Sequence, residues 1–203
     1  MKYIKDYRIF ESVDDQFFKT KEEIRNWLHS YKIYDFNITD DLIVNVTRMK
    51  LSDNCIDLRK SSVFSKDVEK LPVQFGVVNC NFNCINLGLT SFKGCPHTIN
   101  GYFYCSSNKF KSSEFFPEYI GGPFMMNSNP INDLIDLIYT GMSDNFQDPY
   151  ECKKLLKLFN DYNVFKDDKI LLYNLKEVIY MVDMEDKFDY SKLYDLKDYT
   201  IID

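Results

Sequence analysis

A 21-residue period runs through the middle of the chain. Aromatic, sulfur-containing, proline and glycine residues recur at this step, as Phe82–Phe103–Phe124, Cys84–Cys105–Met126, Leu89–Phe110–Ile131, Pro96–Pro117, Ile99–Ile120 and Gly101–Gly122. A chain that winds once per repeat stacks its strands in parallel, and each turn buries its apolar face only against its neighbours. The spacing therefore predicts a solenoid whose interior holds the phenylalanines and the thiols.

Each repeat carries the pattern of a short strand followed by a bend. Phe103 and Cys105 fall on one face of the predicted strand, which places Tyr102 and Tyr104 on the opposite face. Asn108 follows at the bend, where its amide can satisfy backbone groups inside the turn. Glycines before the strands and prolines in the return arm favour an extended backbone. We expect one strand, one bend and one extended return arm per repeat.

The pattern reads L-x-L-x-x-N-x-L at Phe103, Cys105, Asn108 and Phe110. It resembles the short leucine-rich repeat of the bacterial type, whose return arm is extended and carries proline. The wording is similar to that of a group of phage-encoded leucine-rich-repeat-like proteins. The segments that carry this likeness are Leu89-Thr90-Ser91-Phe92-Lys93-Gly94-Cys95-Pro96 and Ile99-Asn100-Gly101-Tyr102-Phe103-Tyr104-Cys105-Ser106-Ser107-Asn108.

The resemblance implies a non-enzymatic protein-binding module that acts in the cytoplasm of an infected bacterial host cell. An inhibitor or modulator of a host defence protein is the function it favours, with a host protein or nucleoprotein as the partner. The first alternative is a structural component of a phage particle. The second, which comes from the cysteines, is a zinc-binding regulatory protein. No cofactor is expected.

Some positions depart from the pattern. Leu87 stands where the later repeats have asparagine, and Ser113 stands where they have Phe92 and Leu134. Ile56-Asp57-Leu58 precedes Phe82-Asn83-Cys84 by 26 residues rather than 21. We interpret residues 41–70 as a degenerate first coil, with an insertion from Arg59 to Lys70, and residues 78–131 as the clean repeats.

Residues 1–40 are predicted to form an N-terminal helical cap. Thr20 and Glu23 have the spacing of a capping box, and Ile24, Trp27, Leu28 and Tyr31 then follow at helical spacing. Ile43, Val44 and Val46 are typical of a strand. The sequence thus favours an α+β fold, a short leucine-rich-repeat-like solenoid of residues 41–131 with helical regions at both ends.

Residues 132–203 are predicted to form an acidic helical C-terminal region. Asn129-Pro130 and Asp148-Pro149 suit helix starts, and Asn174 suits a third. Lys169 to Tyr173 is a short apolar run that favours a strand. The region holds 16 acidic and 9 basic side chains, so one conceivable role is to occupy a basic channel in a partner.

Charge and cysteine usage exclude several classes. The net charge of −6 argues against direct binding of duplex DNA or anionic membranes, which require a basic footprint. No apolar run reaches the length of about 18 residues that a membrane span needs, and the N-terminus does not have the pattern of a secretory signal. We therefore expect an intracellular protein with reduced thiols.

Four residues have the chemistry of a metal site. Cys80, Cys84, Cys95 and His97 are soft ligands close in sequence that tetrahedral zinc would accept. The alternative, which we favour, is that the cysteines are small buried side chains. Cys95 and His97 also have the types of a nucleophile and its base, but no orienting acid stands nearby in sequence. We predict no catalytic residues.

The outward-facing residues of the predicted sheet form the favoured partner-binding surface. Tyrosine, methionine and arginine on a rigid surface are typical of protein interfaces. The predicted contact residues are Asp57, Arg59, Asn83, Ile85, Tyr102, Tyr104 and Met125, with Asn81, Ser106 and Asn127 on the same face. An ordinary solvated sheet face is the alternative.

Overall fold

A computed structural model describes residues 17–47, 56–60, 69–139, 149–166 and 169–203. The helices are α1 (Lys21–Ser30), α2 (Pro130–Tyr139), α3 (Pro149–Asp161) and α4 (Leu172–Met181), with 3-10 turns at Leu58–Lys60 and Tyr190–Asp195. The strands are β1 (Phe36–Ile38), β2 (Ile43–Val46), β3 (Ile56–Asp57), β4 (Gln74–Val78), β5 (Phe82–Asn83), β6 (Thr98–Ile99), β7 (Phe103–Tyr104), β8 (Tyr119–Ile120), β9 (Phe124–Met125), β10 (Phe165–Lys166), β11 (Lys169–Leu171) and β12 (Thr200–Ile202). The predicted α+β class is confirmed.

Residues one repeat apart lie side by side in a parallel sheet. The four-stranded sheet has the order β3-β5-β7-β9, and Phe82, Phe103 and Phe124 are paired in register across its last three strands. Ile56 pairs with Phe82, so the predicted degenerate first strand belongs to the same sheet in spite of its longer spacing. Residues 61–68 of the predicted insertion lie outside the described residues.

A second sheet runs beside the first, and the sequence did not predict it. Its order is β1-β2-β4-β6-β8, and Val78, Ile99 and Ile120 are neighbours in it, again one repeat apart. The expectation of one strand per repeat is therefore wrong, because each clean repeat supplies two strands of two residues. The second strand forms since the isoleucines point inward while Gly121 N–H bonds the carbonyl of Ile99 at 2.8 Å.

The interior between the two sheets is filled by aromatic rings. The ring centroids of Phe82 and Phe103 are 6.1 Å apart, and those of Phe103 and Phe124 are 5.8 Å apart. Phe92 stacks on Phe110 at 3.8 Å. All five side chains are at most 2% exposed. Burial of each ring stabilises the fold by roughly 2–3 kcal/mol, so the stacked phenylalanines are a large part of what holds the repeats together.

Two buried asparagines bond neighbouring repeats to each other. Asn108 Oδ1 accepts from the N–H groups of Leu87 and Leu89, both at 3.1 Å, and its Nδ2 donates to the carbonyls of Cys84 at 2.8 Å and Cys105 at 3.0 Å. Asn129 repeats this arrangement one turn later. The predicted role of asparagine at the bend is confirmed.

The bend itself depends on a left-handed residue that recurs with the repeat. Asn86, Ser107 and Ser128 have φ angles of +57°, +57° and +61° and lie one repeat apart. Asparagine tolerates this region of backbone conformation, whereas serine adopts it less often. Each of these residues redirects the chain from the four-stranded sheet toward the buried asparagine that follows.

The N-terminal helix packs its apolar face against the strands that follow it. Glu23 N–H donates to Thr20 Oγ1 at 3.2 Å, while Thr20 N–H donates to Glu23 Oε2 at 3.0 Å, which completes the capping box. Ile24, Trp27 and Leu28 are buried, and the Trp27 ring lies 6.3 Å from that of Phe75. The predicted strand β2 is present, and β1 pairs with it antiparallel at the sheet edge.

The C-terminal region is mostly helical, with differences from the prediction. Helix α2 begins at Pro130, but Asn129 uses its side-chain amide on the repeats as described above. Asn174 does not cap α4, which begins earlier, at Leu172; its Nδ2 donates instead to the carbonyl of Asn163 at 3.0 Å. The predicted strand at Lys169 is present, and β12 joins it in parallel to form a three-stranded sheet.

Ser113, the exception in the repeat pattern, connects the repeats to helix α3. Its Oγ donates to Asn160 Oδ1 at 2.8 Å, and the residue is fully buried. A larger apolar side chain at this position would leave the Asn160 amide oxygen without that donor. The departure from Phe92 and Leu134 therefore has a local reason.

Candidate protein-binding surface

Four of the predicted contact residues form a row across the four-stranded sheet. Asp57, Asn83, Tyr104 and Met125 are neighbours in register on β3, β5, β7 and β9. With strands about 4.8 Å apart, the row is about 14 Å long. We call this row, with Arg59, Ile85 and Tyr102, the outward row.

Aromatic side chains occupy the centre of the outward row. The rings of Tyr102 and Tyr104 meet edge to face, with centroids 5.9 Å apart and an angle of 80° between planes. Tyr102 is 41% exposed and Met125 is 46% exposed. A side chain at Gly122 would overlap the Tyr102 ring, so glycine there allows the ring to lie flat on the following repeat. Tyr102 is thus held in place before any partner arrives.

The other end of the outward row is a charged pair. Arg59 Nε and Nη2 donate to the two carboxylate oxygens of Asp57 at 2.8 and 2.7 Å. This bidentate pairing raises the pKa of Arg59, with the Asp57 hydrogen bond as the main cause. The Arg59 side chain is 42% exposed, whereas that of Asp57 is 7% exposed. Asp57 therefore orients the guanidinium and presents little surface of its own.

Two asparagines that we placed on the outer face are buried. Asn83 is 3% exposed and its Oδ1 accepts from the N–H of Ile85 at 3.1 Å. Asn81 is 7% exposed and its Oδ1 accepts from the N–H of Tyr102 at 2.9 Å. Both side chains shape the backbone under the tyrosines. The exposed part of the outward row is therefore Arg59, Tyr102 and Met125, with Ile85 and Tyr104 partly exposed.

The four potential zinc ligands do not come together. Cys80 is disulfide-bonded, which also corrects the expectation that all thiols are reduced. Cys84, Cys95, Cys105 and Cys152 are free. Among the residues that the structure describes, no group of three or more histidine, cysteine or acidic side chains is arranged to hold a metal. Cys55 lies outside the described residues.

The Cys95–His97 pair is divided between the core and the surface. Cys95 is buried beside Cys84, and burial, followed by a hydrogen bond with Cys95, raises the pKa of the Cys84 thiol well above its ordinary value. The two ring nitrogens of His97 lie 3.1 Å from Thr98 Oγ1 and 3.2 Å from Glu118 Oε2. The histidine thus faces surface partners, which gives no geometry for activating a buried thiol.

A basic cleft lies between the last repeat and helix α3, and the sequence analysis missed it. Its volume is about 450 Å³, and its lining includes Tyr119, Tyr150, Lys153, Lys154 and Lys157. The Lys153 ammonium donates to the carbonyls of Ile120 at 3.1 Å and Gly122 at 3.2 Å, and burial lowers its pKa. The i, i+4 spacing of Lys153 and Lys157 was a visible signal, but the repeat to which α3 packs was not.

None of the helices in the described parts of the chain is long and apolar enough to cross a lipid bilayer. The chain matches no protein-family model, no curated protein and no solved structure at a significant level. The resemblance to phage-encoded leucine-rich-repeat-like proteins therefore rests on the repeat residues alone.

Proposed function

We propose that the chain is a short leucine-rich-repeat-like solenoid that binds a protein partner through the outward row. The observation that carries this proposal is the exposure of Tyr102 and Met125 on a sheet whose strands pair in register once per repeat. Both side chains are anchored on stacked, fully buried phenylalanines. A partner therefore meets a surface whose order is already established by folding.

The chemistry of the exposed residues favours a protein as the ligand. Tyrosine, arginine and methionine are enriched at protein interfaces, where large side chains give contact area at a small entropic cost. Tyr102 and Tyr104 together supply an aromatic centre, and Arg59 adds a charge whose direction Asp57 determines. An apolar centre with one oriented charge at its rim is the arrangement that interface hot spots commonly have.

The partner proposed is a host protein or nucleoprotein, and the role is that of a phage-encoded inhibitor or modulator of host defence. This part of the proposal is supported by the likeness of the repeat residues to phage-encoded leucine-rich-repeat-like proteins. The action is non-enzymatic and depends on occupying a surface of the target. A structural place in a phage particle is the rival, and particle fractionation separates the two, because a structural component co-purifies with particles.

The test compares capture of partners by wild-type protein and by Tyr102→Ala/Tyr104→Ala from a bacterial host. Tyr173→Ala/Tyr194→Ala is the matched control, since those tyrosines are 70% and 71% exposed and lie away from the outward row. We expect quantitative mass spectrometry to show a specific protein that the first double variant loses and the control retains. Equal capture by all three proteins would refute the outward row as the binding surface.

A further inference from the structure

The basic cleft carries positive charge that its own surroundings do not neutralise. The Lys157 ammonium makes no hydrogen bond or ion pair with any residue of the described chain, and Lys154 makes only a loose pairing with Glu151 at 3.9 Å. Lys153, by contrast, is held on the carbonyls of the last repeat. Two neighbouring ammonium groups are thus available to a ligand.

This positive charge stands out against an acidic background. Three of the nine basic residues in positions 132–203 line the one cleft, although that region carries 16 acidic side chains. Of the two acidic residues in the lining, Glu118 lies 3.2 Å from His97 Nε2, and Asp161 stands at the far end of α3. The centre of the cleft is therefore the part with an excess of cations.

The dimensions of the basic cleft fit a short stretch of extended peptide. The helical face from Tyr150 to Asp161 is about 16 Å long at about 1.5 Å per residue, which equals about five residues of extended chain. The cleft is open along one side, which favours a chain passing through over an enclosed small molecule. Phe116, Pro117 and Leu158 give it an apolar floor beside the lysines.

We propose that the basic cleft binds an extended acidic peptide segment of a partner protein. Its carboxylates pair with Lys154 and Lys157, and its apolar side chains contact Leu158 and the exposed rings of Tyr119 and Tyr150. A nucleic acid fits less well, because the net charge of −6 repels a polyanion beyond the few residues of the cleft. This proposal does not rest on the function proposed for the outward row.

The experiment measures fluorescence polarisation of a labelled Glu-Phe-Glu-Phe-Glu peptide titrated with the full chain. The matched peptide Gln-Phe-Gln-Phe-Gln tests the need for carboxylates, and a thymidine oligonucleotide serves as the nucleic-acid competitor. Lys154→Glu/Lys157→Glu reverses the charge of the cleft. Lys187→Glu/Lys197→Glu makes the same change at exposed positions elsewhere. Circular dichroism of each variant establishes that it is folded.

We expect the acidic peptide to bind the wild type, with a weakening of about tenfold or more in Lys154→Glu/Lys157→Glu and at higher salt, since each exposed ion pair is modest but the reversal adds repulsion. The control variant and Tyr102→Ala/Tyr104→Ala keep the wild-type affinity. Equal binding of the glutamine peptide, an unchanged affinity in the cleft variant, preferential binding of the oligonucleotide, or no peptide binding would each overturn the proposal. Should the charge reversal fail to fold, Lys154→Gln/Lys157→Gln gives the same comparison.

Discussion

The ammonium of Lys153 lies 3.1 Å from the carbonyl oxygen of Ile120, in the last strand of the five-stranded sheet. A second bond joins the same ammonium to the carbonyl of Gly122 at 3.2 Å. Carbonyls at the edge of a sheet are otherwise open to pairing with another chain. One lysine from helix α3 thus closes the end of the stacked repeats.

Replacement of Lys153 by Met should destabilise the protein and expose this edge. Loss of two bonds from a charged donor is expected to lower the free energy of unfolding by about 1–2 kcal/mol. Urea denaturation measures this change, and size-exclusion chromatography detects any association through β8. Lys154→Met is the control, because that neighbour bonds no strand carbonyl. Equal stability of Lys153→Met and wild type would show that the edge does not need the cap.

Replacement of Asn108 by Asp tests the bonds between neighbouring repeats. A carboxylate has no hydrogen to donate to the carbonyls of Cys84 and Cys105, and its charge would be buried. We expect a loss of about 3 kcal/mol or more in the free energy of unfolding, measured in urea. Asn127→Asp makes the same change at an exposed position and should stay within about 0.5 kcal/mol of wild type.

Gly94 and Phe115 occupy equivalent, left-handed positions one repeat apart, with φ angles of +91° and +62°. A side chain added at Gly94 would lie 2.8 Å from the carbonyl oxygen of Val73, so Gly94→Ala combines backbone strain with overlap. We expect it to lower the free energy of unfolding by about 2–4 kcal/mol.

Phe115→Gly is the comparison for Gly94→Ala. Its relief of strain offsets the lost contacts of a ring that is half exposed, so its stability should stay within about 1 kcal/mol of wild type. Thermal unfolding of the two variants side by side checks both values. A smaller loss for Gly94→Ala than for Phe115→Gly would contradict the described packing at this position.

The thiol of Cys152 should remain protonated in mildly alkaline solution. Burial, with a smaller contribution from the charge of Asp136, raises the pKa of Cys152 to about 12, above the ordinary value of 9.0. Because the folded pKa is the higher one, the stability that this thiol contributes is present below pH 9 and is lost as the pH rises toward 12.

Iodoacetamide labelling followed by peptide mass spectrometry checks the state of Cys152. Between pH 8 and 9.5 the native thiol should react far more slowly than in urea, because only the thiolate is nucleophilic. The urea-unfolded chain provides the reference rate at each pH. Similar rates in the two states would mean that Cys152 is not shielded.

The 21-residue step was sufficient to predict which residues stack. Phe82, Phe103 and Phe124 recur because one interior position is filled from each turn, so period and burial report the same geometry. The second sheet was not visible, since strands of two residues are too short to show an alternation. Its only signal was the recurrence of Ile99 and Ile120, which fits an extended arm equally well.

The outer face was predicted in direction but not in depth. Alternation along a strand correctly placed Tyr102 and Tyr104 on the side opposite Phe103. The burial of Asn81 and Asn83 depends on neighbouring turns, whose coverage no single strand reveals. Asn129 shows the same limit, because the signal for a helix cap and the signal for the repeat coincide there. The lysines of the basic cleft needed the packing of α3, which sequence spacing does not specify.

The recurring amide bonds of Asn108 and Asn129 have a consequence for how the length of this protein can change. Excision or duplication of one complete period would leave every surviving asparagine with equivalent donors and acceptors on the adjoining turn. Removal of one residue more or fewer would put the amide out of step with all of them and turn tyrosine rings toward the interior. Growth or shrinkage is therefore quantised: whole windings are interchangeable modules, and fractions of a winding are not.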